Sequence, residues 1–353
     1  MRLILLIDMD YFFVACEELR NKEARLRPTI VGTGSAEGRG VVMTCNYEAR
    51  KYGIHSGMPL SQAKNLKKDA LFLPEDFEYY EAESKKVMAL IREVSEKMEE
   101  VSIDEAFVDI SKKASSYDEA FDIAKALKKK IKERLGLPCS VGISTNKLMA
   151  KMACEKAKPD GIKVVKTEET KDFLKNMPVG KLYGVGRKTK ERLEKIGYDT
   201  VEKLANANPM LLRDELGSFG IELINSANGI DESEVIENSE IKSIGRERTF
   251  ERDTSDKNEI NVAIRKLSEE VYSELSRMGF SFKTVTIKIR YPDFSERLKG
   301  KSVRQTKNFE EIVSIAEKLF EENTEKGRKV RKIGVRVSGL LKQKGQKSIA
   351  EFS

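Results

Sequence analysis

The segment Ser102-Ile103-Asp104-Glu105-Ala106 sets two adjacent carboxylates among apolar residues, and a third acid, Asp8, closes the apolar run Leu3-Ile4-Leu5-Leu6-Ile7. Phe107-Val108-Asp109-Ile110 continues the first segment as another apolar strand. Short runs of this kind are buried in a sheet, so the chain has to fold with acids at the ends of buried strands. Carboxylates fixed on neighbouring strands repel one another unless a cation neutralises them. Acids are common here, 58 of 353 residues, and an Asp-Glu pair alone marks a solvated turn as readily as a site. The apolar flanks favour the site, with Asp8, Asp104 and Glu105 as candidate catalytic and metal-binding residues. Oxygen ligands without His or Cys suit Mg²⁺, and two such ions about 3.5–4 Å apart would clamp the attacking and leaving oxygens of a phosphoryl transfer.

At 353 residues and 39% hydrophobic content, two or three domains are expected. No apolar stretch approaches the roughly 20 residues of a membrane span, and no secretory signal opens the chain, so a soluble, cytoplasmic protein is expected. Cys16, Cys45, Cys139 and Cys154 are scattered and His55 stands alone, which argues against a disulfide framework or a zinc site. The net charge of +7 is uneven. Residues 241–353 hold 26 Lys and Arg against 17 Asp and Glu, leaving 39 against 41 for residues 1–240. A basic module beside a phosphoryl-transfer site favours nucleic acid, although a solvated Lys/Glu surface gives the same count.

Periodicity predicts helices over 11–20, 46–52, 78–97 and 120–135, strands over 28–32, 40–45 and 139–144, and an acid-bearing hairpin over 101–110. The mixed order suggests a split βαβ sheet with helices on one face and the acids on the open one. Residues 167–229 read as almost entirely helical. Within them Leu182-Tyr183-Gly184-Val185-Gly186 precedes a helix over 187–196, a helix-hairpin-helix pattern. Gly184 and Gly186 would let backbone N–H groups approach a phosphate at a helix N-terminus; a purely structural glycine turn is the alternative. An acidic linker spans 231–240. A third unit reads strand 244–252, helix 256–278, strands 283–291 and 297–306, helix 309–323 and strand 330–340. Val285, Ile287 and Ile289 alternate with Thr286, Lys288 and Arg290, so one face packs helices and the other presents cations. Arg246, Arg248, Arg331 and Arg336 are expected to extend that polar face, as a surface tracking a phosphate backbone without reading bases would.

Four segments in order carry a family resemblance: Leu5 to Asp10 with Tyr11-Phe12-Phe13, Thr44-Cys45-Asn46-Tyr47-Glu48-Ala49-Arg50-Lys51, Ser102 to Ala106, and Ala157-Lys158-Pro159-Asp160-Gly161. Over essentially its whole length the chain resembles the Y-family, translesion DNA polymerases, on the branch of archaeal members and bacterial DNA polymerase IV. The resemblance implies an α+β multidomain right hand: a ferredoxin-like palm (1–10 and 77–166), small fingers (11–76), a helical thumb (167–230), a linker (231–240), an α+β little finger (241–341) and a clamp-binding tail (342–353).

It further implies error-prone, template-directed synthesis of DNA past damage, by a monomer using two Mg²⁺ ions. Their ligands would be Asp8, Asp104, Glu105 and the backbone carbonyl of Met9. The triphosphate of the incoming deoxynucleotide would meet Thr44, Tyr47, Arg50 and Lys158, with a backbone contact from Tyr11. Arg50 offers a planar fork and Lys158 a movable point charge. Phe13 would be the steric gate that excludes a ribose 2′-hydroxyl, although Phe12 and Phe13 could also both fill core. Gly32, Gly40 and Gly57 suggest little bulk over the templating base, against which Met43 is a larger residue than relatives often carry. In the tail, Gln346, Ile349 and Phe352 resemble the anchors of a sliding-clamp peptide, docking as a helix in a groove, with Ser353 in place of a second aromatic. Two other classes remain open on the residues alone: a nucleotide cyclase with a related sheet, and a non-catalytic DNA-binding protein.

Overall fold

A computed structural model describes residues 1–35, 38–237, 240–325 and 327–342. The chain divides into two compact units, Met1–Ser239 and Glu240–Ser353. The first unit begins β1 (Ile4–Asp8), α1 (Phe12–Arg20), β2 (Thr29–Thr33), β3 (Val41–Cys45), α2 (Tyr47–Arg50), α3 (Leu60–Leu66) and β4 (Leu71–Pro74). It continues α4 (Phe77–Arg92), β5 (Met98–Glu100), β6 (Glu105–Asp109), α5 (Tyr117–Leu135), β7 (Ser140–Ser144), α6 (Lys147–Ala157) and β8 (Ile162–Val164). Five short helices close it: α7 (Thr170–Lys175), α8 (Arg187–Lys195), α9 (Val201–Ala205), α10 (Pro209–Leu216) and α11 (Ser218–Ala227).

The main sheet has the order β5-β6-β1-β7-β8, with β1 antiparallel to both β6 and β7 and β8 parallel to β7. Alternation along β1 gives the sheet two different faces. Leu3, Leu5 and Ile7 join the large core beneath α1, α4 and α5, whereas Ile4 and Leu6 face Phe107, Ala150, Cys154 and Val235. The sequence pattern points to an open second face; instead α6 and the segment around Val235 pack on it at Ile4 and Leu6. Helix α6, absent from that reading, approaches β7 so closely that a Cβ on Gly142 would sit 1.9 Å from the Ala150 carbonyl oxygen. Only glycine permits this contact.

Helix ends follow ordinary capping chemistry. Ser116 accepts from the Glu119 N–H to start α5, Asp118 and Glu119 occupy its first turn, and Gly136 at φ 73° ends it. Asn146 caps α6, which stops at Lys158, before Pro159. The helix expected over 78–97 ends at Arg92, and Ser95 then donates to the Asp109 carbonyl as the chain turns into β5. The expected linker is also partly structured: Asp231 accepts from the Leu148 N–H at 2.9 Å, the Ile236 N–H donates to Glu99, and Val235 is buried. Residues 231–236 thus form a strap on the sheet.

The second unit runs β9 (Ser243–Thr254), α12 (Lys257–Arg277), β10 (Phe280–Arg290), β11 (Glu296–Thr306), α13 (Phe309–Asn323) and β12 (Val330–Ser338). Its antiparallel sheet has the order β11-β10-β12-β9. Val285, Ile287, Ile289, Ile333, Val335 and Val337 form one core with α12 and α13. Register corrects one expectation. Residues directly opposite on antiparallel strands share a face, and Arg246 and Arg248 stand opposite Val335 and Ile333. They therefore lie on the helix side, at the sheet's edge, and not on the open cationic face with Lys288 and Arg336. Charged side chains on an edge strand also discourage pairing with another chain.

Candidate active site

Strand pairing brings the candidate acids together. Asp8, at the end of β1, lies opposite Glu105 on β6 and Ser140 on β7. The Met9 N–H donates to the Asp104 carbonyl at 3.0 Å, fixing the turn that carries Asp104 beside β1. Asp8 and Glu105 are buried, whereas Asp104 is half-buried and accepts from the Ser102 hydroxyl at 2.6 Å.

Two lysines neutralise the buried pair. Lys158 Nζ donates to Asp8 Oδ2 at 2.7 Å and to Glu155 at 2.9 Å, and Lys151 pairs with Glu105. Burial, partly offset by Lys158 and reinforced by Asp104, pushes the Asp8 carboxyl up to about 6. Burial works against the Lys158 ammonium too, yet Asp8 and Glu155 outweigh it and hold Lys158 above its ordinary value. Lys151 is raised in the same way by Glu105. Among the described residues no three His, Cys, Asp or Glu side chains form a preformed metal cage. The donor set is nevertheless all oxygen, and the site already holds cationic groups against its carboxylates.

Asp10 links this centre to Tyr47, one of the residues expected to meet the nucleotide. Its φ is 58°, a left-handed conformation that Asp and Asn adopt more readily than most. There it accepts from the Ser140 hydroxyl at 2.7 Å, the Asp160 N–H at 3.1 Å and the Tyr47 hydroxyl at 3.5 Å. Tyr47 in turn meets Tyr11 edge-to-face at 5.5 Å and lies beneath the Arg50 guanidinium at 4.8 Å. Burial, with Asp10 adding to it, pushes the Tyr47 phenol up to about 12, so it stays a hydrogen-bond donor at neutral pH. Thr44 is buried on β3, where it pairs with Val31.

The two phenylalanines separate cleanly. Phe12 is buried in core, while the Phe13 ring is partly exposed and stacks on Tyr80 at 4.8 Å. The Tyr80 hydroxyl donates to Glu17 at 2.7 Å, and Arg20 grips Glu17 through two nitrogens.

Gly184 has φ 90°, so it needs glycine, and Gly186 precedes α8. A Cβ on either would meet nothing within 4 Å, so both glycines are open to an approaching ligand. Arg331 lies over the Phe294 ring at 4.7 Å, and Arg336 sits on the open face of the second sheet. Gln346, Ile349 and Phe352 lie outside the described residues. The sequence reading did not single out Asp10, Lys151, Ser140 or Tyr80. Lys147, Lys151, Glu155 and Lys158 recur at helical spacing, a signal that would have found Lys151 once α6 was recognised.

A protein-family model for the impB/mucB/samB family matches residues 7–155, its C-terminal domain matches 241–350, and its HHH motif matches 167–198. DNA polymerase IV 2 of Methanosarcina mazei is 40% identical over 96% of this chain and 92% of its own length. A solved Y-family DNA polymerase chimera superposes with a TM-score of 0.88, at 28% identity, over 97% of this chain and all of that one. The chain belongs to the Y-family of DNA polymerases. Its fold is the Y-family right hand, as the sequence motifs implied. An insertion ternary complex of Dbh DNA polymerase matches this Y-family chain with a TM-score of 0.69 at 28% identity, over 97% of it and 100% of that chain. Y-family membership removes the nucleotide cyclase and the purely structural DNA-binding protein as readings.

Proposed function

We propose that this chain is a template-directed, low-fidelity DNA polymerase of translesion synthesis, adding deoxynucleotides to a primer 3′-hydroxyl with release of pyrophosphate. One observation carries the reading: Asp8, Asp104 and Glu105 converge at one end of a sheet, in a chain related over nearly its whole length to DNA polymerase IV. Like its family, the protein depends on a divalent metal, and its DNA and nucleotide substrates follow from the same membership.

The finer assignment is two Mg²⁺ ions held by the carboxylates of Asp8, Asp104 and Glu105 and the backbone carbonyl of Met9. Hard oxygen donors fit that ion, and a site that already stabilises two ammonium groups has the field to favour it. When bound there, the metal would supply a lowered pKa for the primer hydroxyl and charge stabilisation for the leaving pyrophosphate. The remaining work falls to the chain's own residues. Lys158 exchanges Asp8 for triphosphate oxygens, and Arg50, Tyr47 and Thr44 complete the donor set, with Tyr11 adding its backbone. Phe13 excludes a 2′-hydroxyl by shape. Gly184 and Gly186 present backbone N–H groups to a DNA phosphate, while Arg331 and Arg336, with Arg246 and Arg248 at the edge, engage the backbone more broadly.

Gln346, Ile349 and Phe352 dock on a sliding clamp, and the protein acts as a cytoplasmic monomer; among the described residues no helix is long and apolar enough to cross a membrane. Primer extension with Mg²⁺ and all four deoxynucleotides tests the central reading. The parent extends, and folded Asp104→Ala plus Glu105→Ala protein loses at least about a hundredfold, the scale of losing one preorganised electrostatic group. DNA binding without extension by the parent would refute catalysis. Deleting 346–353 should abolish clamp-stimulated synthesis while sparing clamp-independent extension; unchanged stimulation would exclude the tail.

A further inference from the structure

The open face of the second sheet is less cationic than its sequence suggests. Glu247 on β9 stands opposite Gly334 on β12, which stands opposite Lys288 on β10. The carboxylate therefore reaches across a whole strand. It can do so because Gly334 has no side chain; a Cβ there would sit 2.8 Å from Glu247 Cγ. Both oxygens are used: Oε1 lies 3.0 Å from Lys288 Nζ and Oε2 3.0 Å from Lys332 Nζ. Burial raises the Glu247 carboxyl, but these two hydrogen bonds prevail and hold it below the usual range. On the next strand Glu296 pairs with Arg290 and lies 3.6 Å from Lys288. Arg336, on the same face, carries no acid among the described residues. The face is a trough of about 530 Å³ floored by Gly245 and Gly334, with Arg336 and Lys288 among its walls.

We propose that Glu247 is a built-in electrostatic restraint on DNA binding, holding Lys288 and Lys332 so that a backbone phosphate must displace its carboxylate before either lysine engages. The inference rests on the polymerase reading above and deepens it. A phosphate that meets a paired lysine exchanges one anion for another and gains little; a phosphate that meets an unpaired one releases counterions and gains affinity. With Glu247 in place, the trough holds primer–template loosely, which suits a polymerase that inserts a few nucleotides and leaves.

The test is equilibrium binding of fluorescent primer–template across a salt series, with extension of the same substrate by the parent. Glu247→Gln keeps the size of the side chain and removes its charge. It should bind roughly two- to thirtyfold more tightly at low salt, the worth of two exposed ion pairs, and steepen the slope of log K against log salt by up to about 2. Equal or weaker binding with an unchanged slope, in protein with the parent's thermal midpoint, overturns the restraint. Should that variant unfold, the lysines decide: in the parent background Lys288→Gln should cost less affinity than Arg336→Gln, and an equal or larger cost overturns the proposal. A parent that neither binds nor extends the substrate refutes the polymerase reading with it. A parent that extends while Glu247→Gln changes nothing refutes the restraint alone.

Discussion

Phe13 is held by a chain of contacts, not by the active site itself. Its ring stacks on Tyr80, Tyr80 hydrogen-bonds to buried Glu17, and Arg20 ties Glu17 to Asp76. A stacked aromatic pair contributes about 0.5–1.5 kcal/mol beyond its buried area, enough to fix one ring position. Phe13→Ala should therefore raise ribonucleotide incorporation on the order of tenfold or more, the range expected when a pocket gains room for one small group. Competition between ribo- and deoxynucleotides at a single template base measures it, and unchanged sugar discrimination would remove Phe13 from that role. The acids at 8, 104 and 105 were legible because apolar runs flank them. Asp10 and Ser140 were not, because their task is to bind one another across 130 positions of sequence.

Helix α6 is where packing and chemistry meet. Ala150 and Cys154 face the sheet, Leu148, Met149 and Met152 face the core formed with α7 to α11, and Lys151 and Lys158 reach the acids. A helix buried on two sides has no single apolar stripe, which is why periodicity overlooked it. Gly142→Ala pushes a methyl into the Ala150 carbonyl, so it should cost about 1–3 kcal/mol by overpacking and lower extension by displacing both lysines. Urea unfolding and primer extension measured together check this; a neutral substitution would show that α6 yields. The same limit explains Arg246 and Arg248. Alternation within β10 was readable, but which parity of β9 shares its face depends on register across β12, and register is not written in either strand alone.

The charge asymmetry seen in the sequence does divide along the boundary between the two units, while the pairing of those charges emerges only from the fold. Cys16, Cys45, Cys139 and Cys154 lie in the interior. All are free and buried, and burial pushes the Cys139 thiol up to about 12 and raises Cys16, Cys45 and Cys154 as well. A thiol so raised stays protonated and unreactive at pH 8. Fewer than about one thiol per chain should react with a disulfide reagent in native protein, and all 4 should react in guanidinium; rapid native labelling would contradict the burial. The strap at 231–236 bears on how the chain can be cut. A recombinant catalytic fragment ending at residue 230 would lose Val235 from against Ile4, Leu6 and Phe107, and Asp231 from the start of α6. The durable border for truncation, protease nicking or domain exchange lies beyond residue 236, although composition alone marks it six residues earlier.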